Sequence, residues 1–314
     1  MTGLVVVAVG GNALAADPSR DTMSDQLATV QDAALHVVEL VESGWQVVLT
    51  HGNGPQIGAI LRQNELSAET VPAMSLDFCG AATQGTIGYL FETALNNELR
   101  RRQLPATAVS VVTQVLVDPA DPAFEAPSKP IGTFMEREEA VRAARILGWD
   151  VVEDSGRGYR RVVASPQPIA IVQREAVRTL LEQGFLVIAA GGGGIPMSET
   201  ATGALVGVEA VIDKDHASAQ LATDIGADTL LILTNVPQAA TGFGGPQEHW
   251  LDELTPEDAE AHLAAGEFAE GSMKPKVQAA LDFLTRGGRC AIITDLDSAP
   301  AALVGTAGTR IVRG

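Results

Sequence analysis

Lysine is scarce in this chain of 314 residues, and it stands where an ammonium group could do chemistry. Of 21 basic residues only Lys129, Lys214, Lys274 and Lys276 are lysine, so arginine carries nearly all the surface positive charge. Lys214 lies between Asp213 and Asp215 at the head of a helical pattern, Lys276 follows Gly271-Ser272-Met273-Lys274-Pro275, and Lys129 sits in a proline-rich insertion. A flexible stem ending in a compact ammonium can follow a phosphoryl group as it moves, whereas a guanidinium fork holds one fixed pair of oxygens. Lys129, Lys214 and Lys276 are therefore candidate phosphoryl-transfer residues, and Lys274 reads as decoration of its loop.

Glycine supplies the other half of such a site. Three glycine turns each follow an apolar strand pattern: Gly10-Gly11-Asn12, then His51-Gly52-Asn53-Gly54-Pro55-Gln56, then Gly191-Gly192-Gly193-Gly194-Ile195-Pro196. Without a Cβ, backbone N–H groups can approach an anion closely, and a helix N-terminus behind the turn adds partial positive charge. None of the three is G-x-x-x-x-G-K-[ST], and none is a G-x-G-x-x-G with an acid suitably placed, which argues against a P-loop enzyme and a dinucleotide fold.

The chemistry that is missing narrows the reaction further. There is no G-x-S-x-G elbow and no zincin spacing, and His36, His51, His216, His249 and His262 are scattered. His51 serves equally well as a loop-structuring residue or a ligand contact. Transfer to a carboxylate-type oxygen explains this set, because the acceptor is already anionic at neutral pH and needs positioning and charge neutralisation but no general base. Each well-aimed donor is worth on the order of 3 kcal/mol in such a transition state.

These residues need a scaffold, and a repeated joint describes it. Four helical patterns end in glycine and pass at once into an apolar run: Ser43-Gly44-Trp45, Gln183-Gly184-Phe185, Ile225-Gly226-Ala227 and Gly287-Gly288-Arg289. Glycine suits the left-handed position that closes a helix, so each joint predicts an αβ connection. Runs apolar at every position suit strands covered on both faces, which means a mostly parallel, doubly wound α/β sheet. Leu4–Val9 and Ala108–Val112 are further strands. Helices are expected near Gln26–Val41, Thr83–Arg102, Ile169–Leu181, Asp215–Thr223 and Lys276–Leu284, with a capped start at Thr255-Pro256-Glu257-Asp258. Val117 to Pro168 breaks the rhythm with proline, charge and glycine and reads as a lid or protruding subdomain; Pro237 to His249 reads as a flexible loop.

Composition excludes other classes. With 39 Asp and Glu against 21 Lys and Arg, the net charge of −18 repels polyanions, so no nucleic-acid partner is expected. The opening apolar run is too short for a membrane span or a signal region, so a soluble cytoplasmic protein without a membrane partner is expected. Cys79 and Cys290 lie among apolar neighbours in no metal or redox spacing and read as small core residues.

Taken in order along the chain, several segments resemble the carbamate kinases of the amino-acid kinase superfamily. They are Gly10–Leu14, Thr50–Gln56, Ser75–Asp77 with Cys79-Gly80-Ala81 and Gln84-Gly85, Ser128–Gly132, Gly156–Val163 with Ser165-Pro166, Gly191–Pro196, Gly207–Asp215, and Gly271–Met273 with Pro275-Lys276. The resemblance implies an open αβα sandwich acting on ATP/ADP, carbamate and carbamoyl phosphate, with Mg²⁺ carried by the nucleotide and no metal ligands on the chain, usually as a homodimer. It implies a carbamate lobe at about 1–205, including a protruding subdomain at about 117–168, and a nucleotide lobe at about 206–314. Gly10, Gly11, Asn12, Gly52, Asn53 and Gly54 would bind substrate and phosphoryl group. Lys129, Lys214 and Lys276 would neutralise phosphates, with Asp213 and Asp215 orienting the lysines. Gly192, Gly193, Thr234, Asn235, Val236, Met273 and Pro275 would face the nucleotide. Departures from the family pattern fall at Asn235, where an acid is common, in the loop through Phe243-Gly244-Gly245-Pro246, and at Val152-Glu153-Asp154, which lacks a usual lysine. A related acyl-phosphate-forming kinase and a catalytically silent nucleotide-binding protein are the alternatives.

Overall fold

The computed structural model describes residues 3–10, 22–154 and 156–313. In chain order these form β1 (Gly3–Val9), α1 (Met23–Glu42), β2 (Trp45–His51), α2 (Gly54–Ser67), α3 (Leu76–Arg101), β3 (Ala108–Ser110) and β4 (Gln114–Val117). There follow β5 (Lys129–Met135), α4 (Arg137–Leu147), β6 (Asp150–Glu153), β7 (Tyr159–Val163), β8 (Pro168–Ile171), α5 (Arg174–Glu182), β9 (Leu186–Ile188), β10 (Ile195–Glu199) and β11 (Leu205–Gly207). The last part runs α6 (Lys214–Ile225), β12 (Thr229–Thr234), β13 (Ala240–Thr241), β14 (His249–Trp250), β15 (Glu253–Leu254), α7 (Pro256–Ala264), α8 (Met273–Thr285), β16 (Cys290–Asp295), α9 (Ala299–Leu303) and β17 (Thr309–Val312).

Eight strands make the central sheet in the order β15-β17-β16-β12-β1-β2-β9-β3. The pairs β16-β12, β12-β1, β1-β2, β2-β9 and β9-β3 are parallel, and β17 turns antiparallel to β16 near one edge. Alternate side chains of β1 enter two different cores: Val6 and Ala8 pack with residues of α5, α6, α7 and α8, whereas Val5, Val7 and Val9 pack with α1, α3 and α9. The sheet is thus buried on both faces, which is why its strands read as continuous apolar runs. The fold is the expected αβα sandwich, and the four glycine joints each lead into a strand of this sheet, at β2, β9, β12 and β16.

Other expectations are corrected. The stretch Ile169–Leu181 is not one helix: Pro168–Ile171 is a strand paired antiparallel with β4, and the helix starts at Arg174. Pro168 and the β-branched Ile169 and Ile171 favour extended backbone, and a shift of register against β4 between Leu116 and Val117 lets Pro168 and Ile171, three residues apart, both be buried. The strand expected at Ala108–Val112 stops at Ser110, and the helix expected from Thr83 begins at Leu76. Pro237 to His249 contains a short antiparallel ribbon, Ala240–Thr241 with His249–Trp250. A second sheet, β11-β10-β4-β8, was not foreseen. Within the irregular insertion, β5, β7 and β6 form a separate antiparallel sheet accompanied by α4.

Candidate active site

The glycine turn after β2 is where the chemistry begins. Asn53 is the N-cap residue of α2, yet its side chain does not cap: Nδ2 donates to Oγ1 of Thr83 on α3 at 2.8 Å. Pro55 has no N–H, and the first bond of the helix, from the Ile57 N–H to the Asn53 carbonyl at 2.9 Å, leaves the Gly54 and Gln56 N–H groups to the helix end. That end, with its partial positive charge, opens into a cleft of about 270 Å³ beyond the carboxyl ends of the strands.

The opposite wall comes from α6 and α8. Asp213 caps α6, accepting from the Asp215 N–H at 2.8 Å, so the two residues that follow it enter the first turn at a fixed angle. Lys214 Nζ lies 2.6 Å from Oδ1 of Asp215, and Lys276 Nζ, from α8, lies 2.9 Å from Oδ2 of the same carboxylate. Lys129 opens β5 of the three-stranded sheet and reaches across to Oδ2 of Asp213 at 2.6 Å. Gly52, Asn53, Gly54, Lys129, Gly192, Asp213, Lys214, Asp215, Pro275 and Lys276 all line this one cleft.

Charge at the site is poised for an anion. Three ammonium groups meet two carboxylates and two helix ends without a side-chain cap, those of α2 and α8, leaving a positive excess. Burial pushes Asp215 up, but the ammonium groups of Lys214 and Lys276 overcome it and hold the carboxyl well below the usual range. Burial works the same way against Asp213, where the charge of Lys129 wins and keeps it ionised. Burial pulls Lys214 below the ordinary lysine value despite Asp215, and nearby Lys276 adds to the effect. An arriving phosphate would relieve that strain on the charged form.

The remaining expected residues fall in three groups. Gly10 ends the described part of the first turn, while Gly11 and Asn12 lie outside the described residues. The third glycine turn does not lead to a helix but into β10, and its glycines are buried. At Gly192, φ is 66°, and a Cβ would collide with the Asn53 amide; at Gly193 a Cβ would strike the Ile212 carbonyl. Gly192 therefore belongs to the cleft wall and Gly193 lies behind it. Thr234 is the last residue of β12, Asn235 and Val236 follow it with Asn235 exposed, and Met273 packs partly into the core at the start of α8.

Sequence reasoning passed over several supports. Thr50 Oγ1 and Ser218 Oγ are 2.6 Å apart, and Ser218 also donates to the Lys214 carbonyl at 2.6 Å, tying β2 to the lysine-bearing turn. Gln84 donates from Nε2 to the Thr113 and Gly191 carbonyls, both at 3.1 Å, and accepts from the Thr113 N–H at 2.7 Å. The only signal was that Thr50 and Gln84 fall inside segments that carried the resemblance. His51 is buried, stacks on Phe91 at 5.7 Å between ring centres, and places Nδ1 2.9 Å from the Gly52 carbonyl, so it structures the turn. Among the described residues, no three His, Cys, Asp or Glu side chains are placed to share a metal ion.

A parallel α/β sandwich with a lysine-lined anion cleft beyond its strand ends is the build of a small-molecule phosphotransferase. The chain belongs to the Amino acid kinase family, whose sequence model matches residues 3–295. It is 46% identical over 312 residues to the carbamate kinase of Thermococcus kodakarensis, covering 98% of this chain and 99% of that one. It is 47% identical to the carbamate kinase-like protein YahI of Escherichia coli over the full length of both. Among solved structures, carbamate kinase from Giardia lamblia bound to AMP-PNP superposes with a TM-score of 0.93 at 42% identity, covering all of both chains.

Proposed function

We infer that this chain is a carbamate kinase, moving a phosphoryl group reversibly between MgATP and carbamate so that ATP + carbamate = ADP + carbamoyl phosphate. The observation that carries the reading is the convergence of Lys129, Lys214 and Lys276 on one cleft with the turn Gly52–Gly54. The full-length similarity to carbamate kinases supports the choice of acceptor.

In this mechanism a carbamate oxygen attacks the γ-phosphorus as the bond to the β-phosphate oxygen breaks. Carbamate is already anionic, so no proton leaves it and no general base is required. Gly10, Gly11, Asn12, Gly52, Asn53 and Gly54 hold the acceptor and the phosphoryl oxygens. Lys214 and Lys276 neutralise the charge that spreads over the transferring group, and Asp213 and Asp215 keep the ammonium groups aimed. Lys129, on the strand that starts the three-stranded sheet, exchanges its 2.6 Å partner Asp213 for the phosphoryl group. Gly192, Gly193, Thr234, Asn235, Val236, Met273 and Pro275 lie on the nucleotide side. In domain terms, about 1–205 forms the carbamate lobe, with 117–168 protruding, and about 206–314 forms the nucleotide lobe.

Mg²⁺ enters with the nucleotide. Asp213 and Asp215 already grip lysines at 2.6 to 2.9 Å, so phosphate oxygens and water would be its ligands, as its chemistry prefers. The active form is a homodimer in the cytoplasm. Phe78 and Tyr89, 65% and 67% exposed, lie three turns apart on one outward face of α3, an apolar stripe that a second copy would cover. Among the described residues, no helix is long and apolar enough to cross a membrane.

The test is ATP formation from carbamoyl phosphate and MgADP by the purified protein, beside ATP consumption with N-acetylglutamate or aspartate. Turnover with carbamoyl phosphate alone supports the reading. Turnover only with the amino-acid acceptors, or nucleotide binding without turnover, sinks it.

A further inference from the structure

The two lysines that face the transferring group stand on different helices, and their spacing is set where α6 packs along α8. Two residues past Lys214, His216 turns away from the cleft into that seam. Its side chain is only 13% exposed, and Nδ1 lies 3.2 Å from Oδ2 of Asp282 on α8. One turn further along, Arg286 donates to the Gln220 amide oxygen, so the seam carries two polar crosslinks in register. The charged groups facing His216 are Asp213 and Asp215 at the head of its own helix, Asp282 on α8 and Arg286 just past the end of α8. Gln167 and Pro168, leading into β8, close the seam without charge.

We propose that His216 and Asp282 form a protonation-dependent strap between α6 and α8 that sets the spacing of Lys214 and Lys276 and so tunes phosphoryl transfer. The proposal deepens the kinase reading and rests on it. His216 is a positioning residue: it acts through the lysines, because its ring points behind the helix that presents Lys214. A hydrogen bond anchored on a fully charged pair holds a helix seam more tightly than one between neutral groups. Burial disfavours the imidazolium, but the hydrogen bond to Asp282 and the negative charges of Asp213, Asp282 and Asp215 outweigh it, holding His216 above its usual range. A raised imidazole value means that the pairing is complete below about pH 6.5 and is lost as pH rises through the higher folded value. The strap is therefore engaged on the acid side and slackens toward alkaline pH.

The experiment follows ATP formation from carbamoyl phosphate and MgADP between about pH 6 and 9 for the whole protein and for His216→Gln, Asp282→Asn and the double variant. Alongside it, proton NMR follows the His216 ring titration. The wild-type kcat is expected to fall with rising pH through one imidazole step, about fivefold in all, a size typical of coupled contacts. His216→Gln loses that step and sits about fivefold low at pH 6, with the KM for carbamoyl phosphate unchanged. Asp282→Asn moves the step and the ring titration to lower pH, and the double variant is no worse than His216→Gln alone. A wild-type pH profile in His216→Gln, additive losses in the double variant, or a ring titrating at or below its ordinary value overturns the strap. If the wild type makes no ATP, the kinase reading fails first. The ring titration and its shift in Asp282→Asn still judge the pairing, and they serve equally if His216→Gln does not fold.

Discussion

Asp215 holds the ammonium of Lys276 at 2.9 Å across 61 residues of chain while its other oxygen holds Lys214, its immediate neighbour, at 2.6 Å. One buried carboxylate therefore fixes two cations from two helices. Removing it leaves two ammonium groups facing each other with burial already weighing against one of them. Asp215→Asn is expected to lower kcat in the ATP-forming assay by about 10² or more, the scale of a lost transition-state donor. It should also lower stability toward urea by about 3 kcal/mol, as expected when a buried ion pair loses one partner. A variant with wild-type kcat would show that the shared carboxylate does not aim the lysines.

Lys129 gives the contrasting case. Its side chain is 37% exposed, and its pair with Asp213 joins the three-stranded sheet to the head of α6. Asp213 is only 18% exposed and depends on Lys129 to stay ionised, so Lys129→Ala should lower stability toward urea by about 1 to 2 kcal/mol. The same substitution should cut kcat by about 10² if the ammonium meets the phosphoryl group. The discriminating measurement is the split itself: equal damage to stability and turnover would mean that Lys129 only fastens the three-stranded sheet.

Which of these relationships could be read from the chain depends on how local they are. The sheet was legible because β1, β2, β9, β12 and β16 are buried on both faces and each of the last four follows a glycine that ends a helix. The lysines were legible because scarcity singled them out and Asp213 and Asp215 flank one of them. The sheet β11-β10-β4-β8 was hidden, because β10 begins directly after four glycines and carries Pro196, which reads as a turn. The pairing of Thr50 with Ser218 joins residues 168 apart, and that of Asn53 with Thr83 residues 30 apart; no periodicity announces contacts of that kind. Asp282 escaped notice for the same reason, since only the packing of α6 on α8 brings it to His216.

Gly192 tests whether the third glycine turn serves the cleft by shape. Its backbone has φ of 66°, and a methyl group there would run into the Asn53 side chain, which is held by Thr83. Gly192→Ala therefore combines a left-handed backbone with a displaced Asn53, at a cost of about 2 kcal/mol in stability. Because Asn53 starts α2, the displacement should also raise the KM for carbamoyl phosphate, which initial-rate kinetics would read. An unchanged KM in a well-folded Gly192→Ala protein would separate the turn from the substrate side of the cleft.

His51 predicts how the fold responds to acid. It is buried against Phe91 and the third glycine turn, and burial lowers its imidazole to about 4, with the Gly52 carbonyl opposing and Lys214 adding to the shift. In the unfolded chain the same ring takes up its proton near pH 6.5. Between those two values the unfolded state binds a proton that the folded state refuses, so stability falls as pH drops from about 6.5 to about 4, by up to about 3 kcal/mol. Asp215 and Asp213 are held below the ordinary carboxylate range, so their loss belongs to more acid solution. His216 has the opposite sign, since its raised value favours the folded state on the acid side. Thermal melts across this window should show the decline in the wild type and a flatter curve in His51→Asn, which is less stable at neutral pH but has no proton to gain. An equal slope in both proteins would mean that other groups cause the acid sensitivity and that His51 is not neutral in the folded turn.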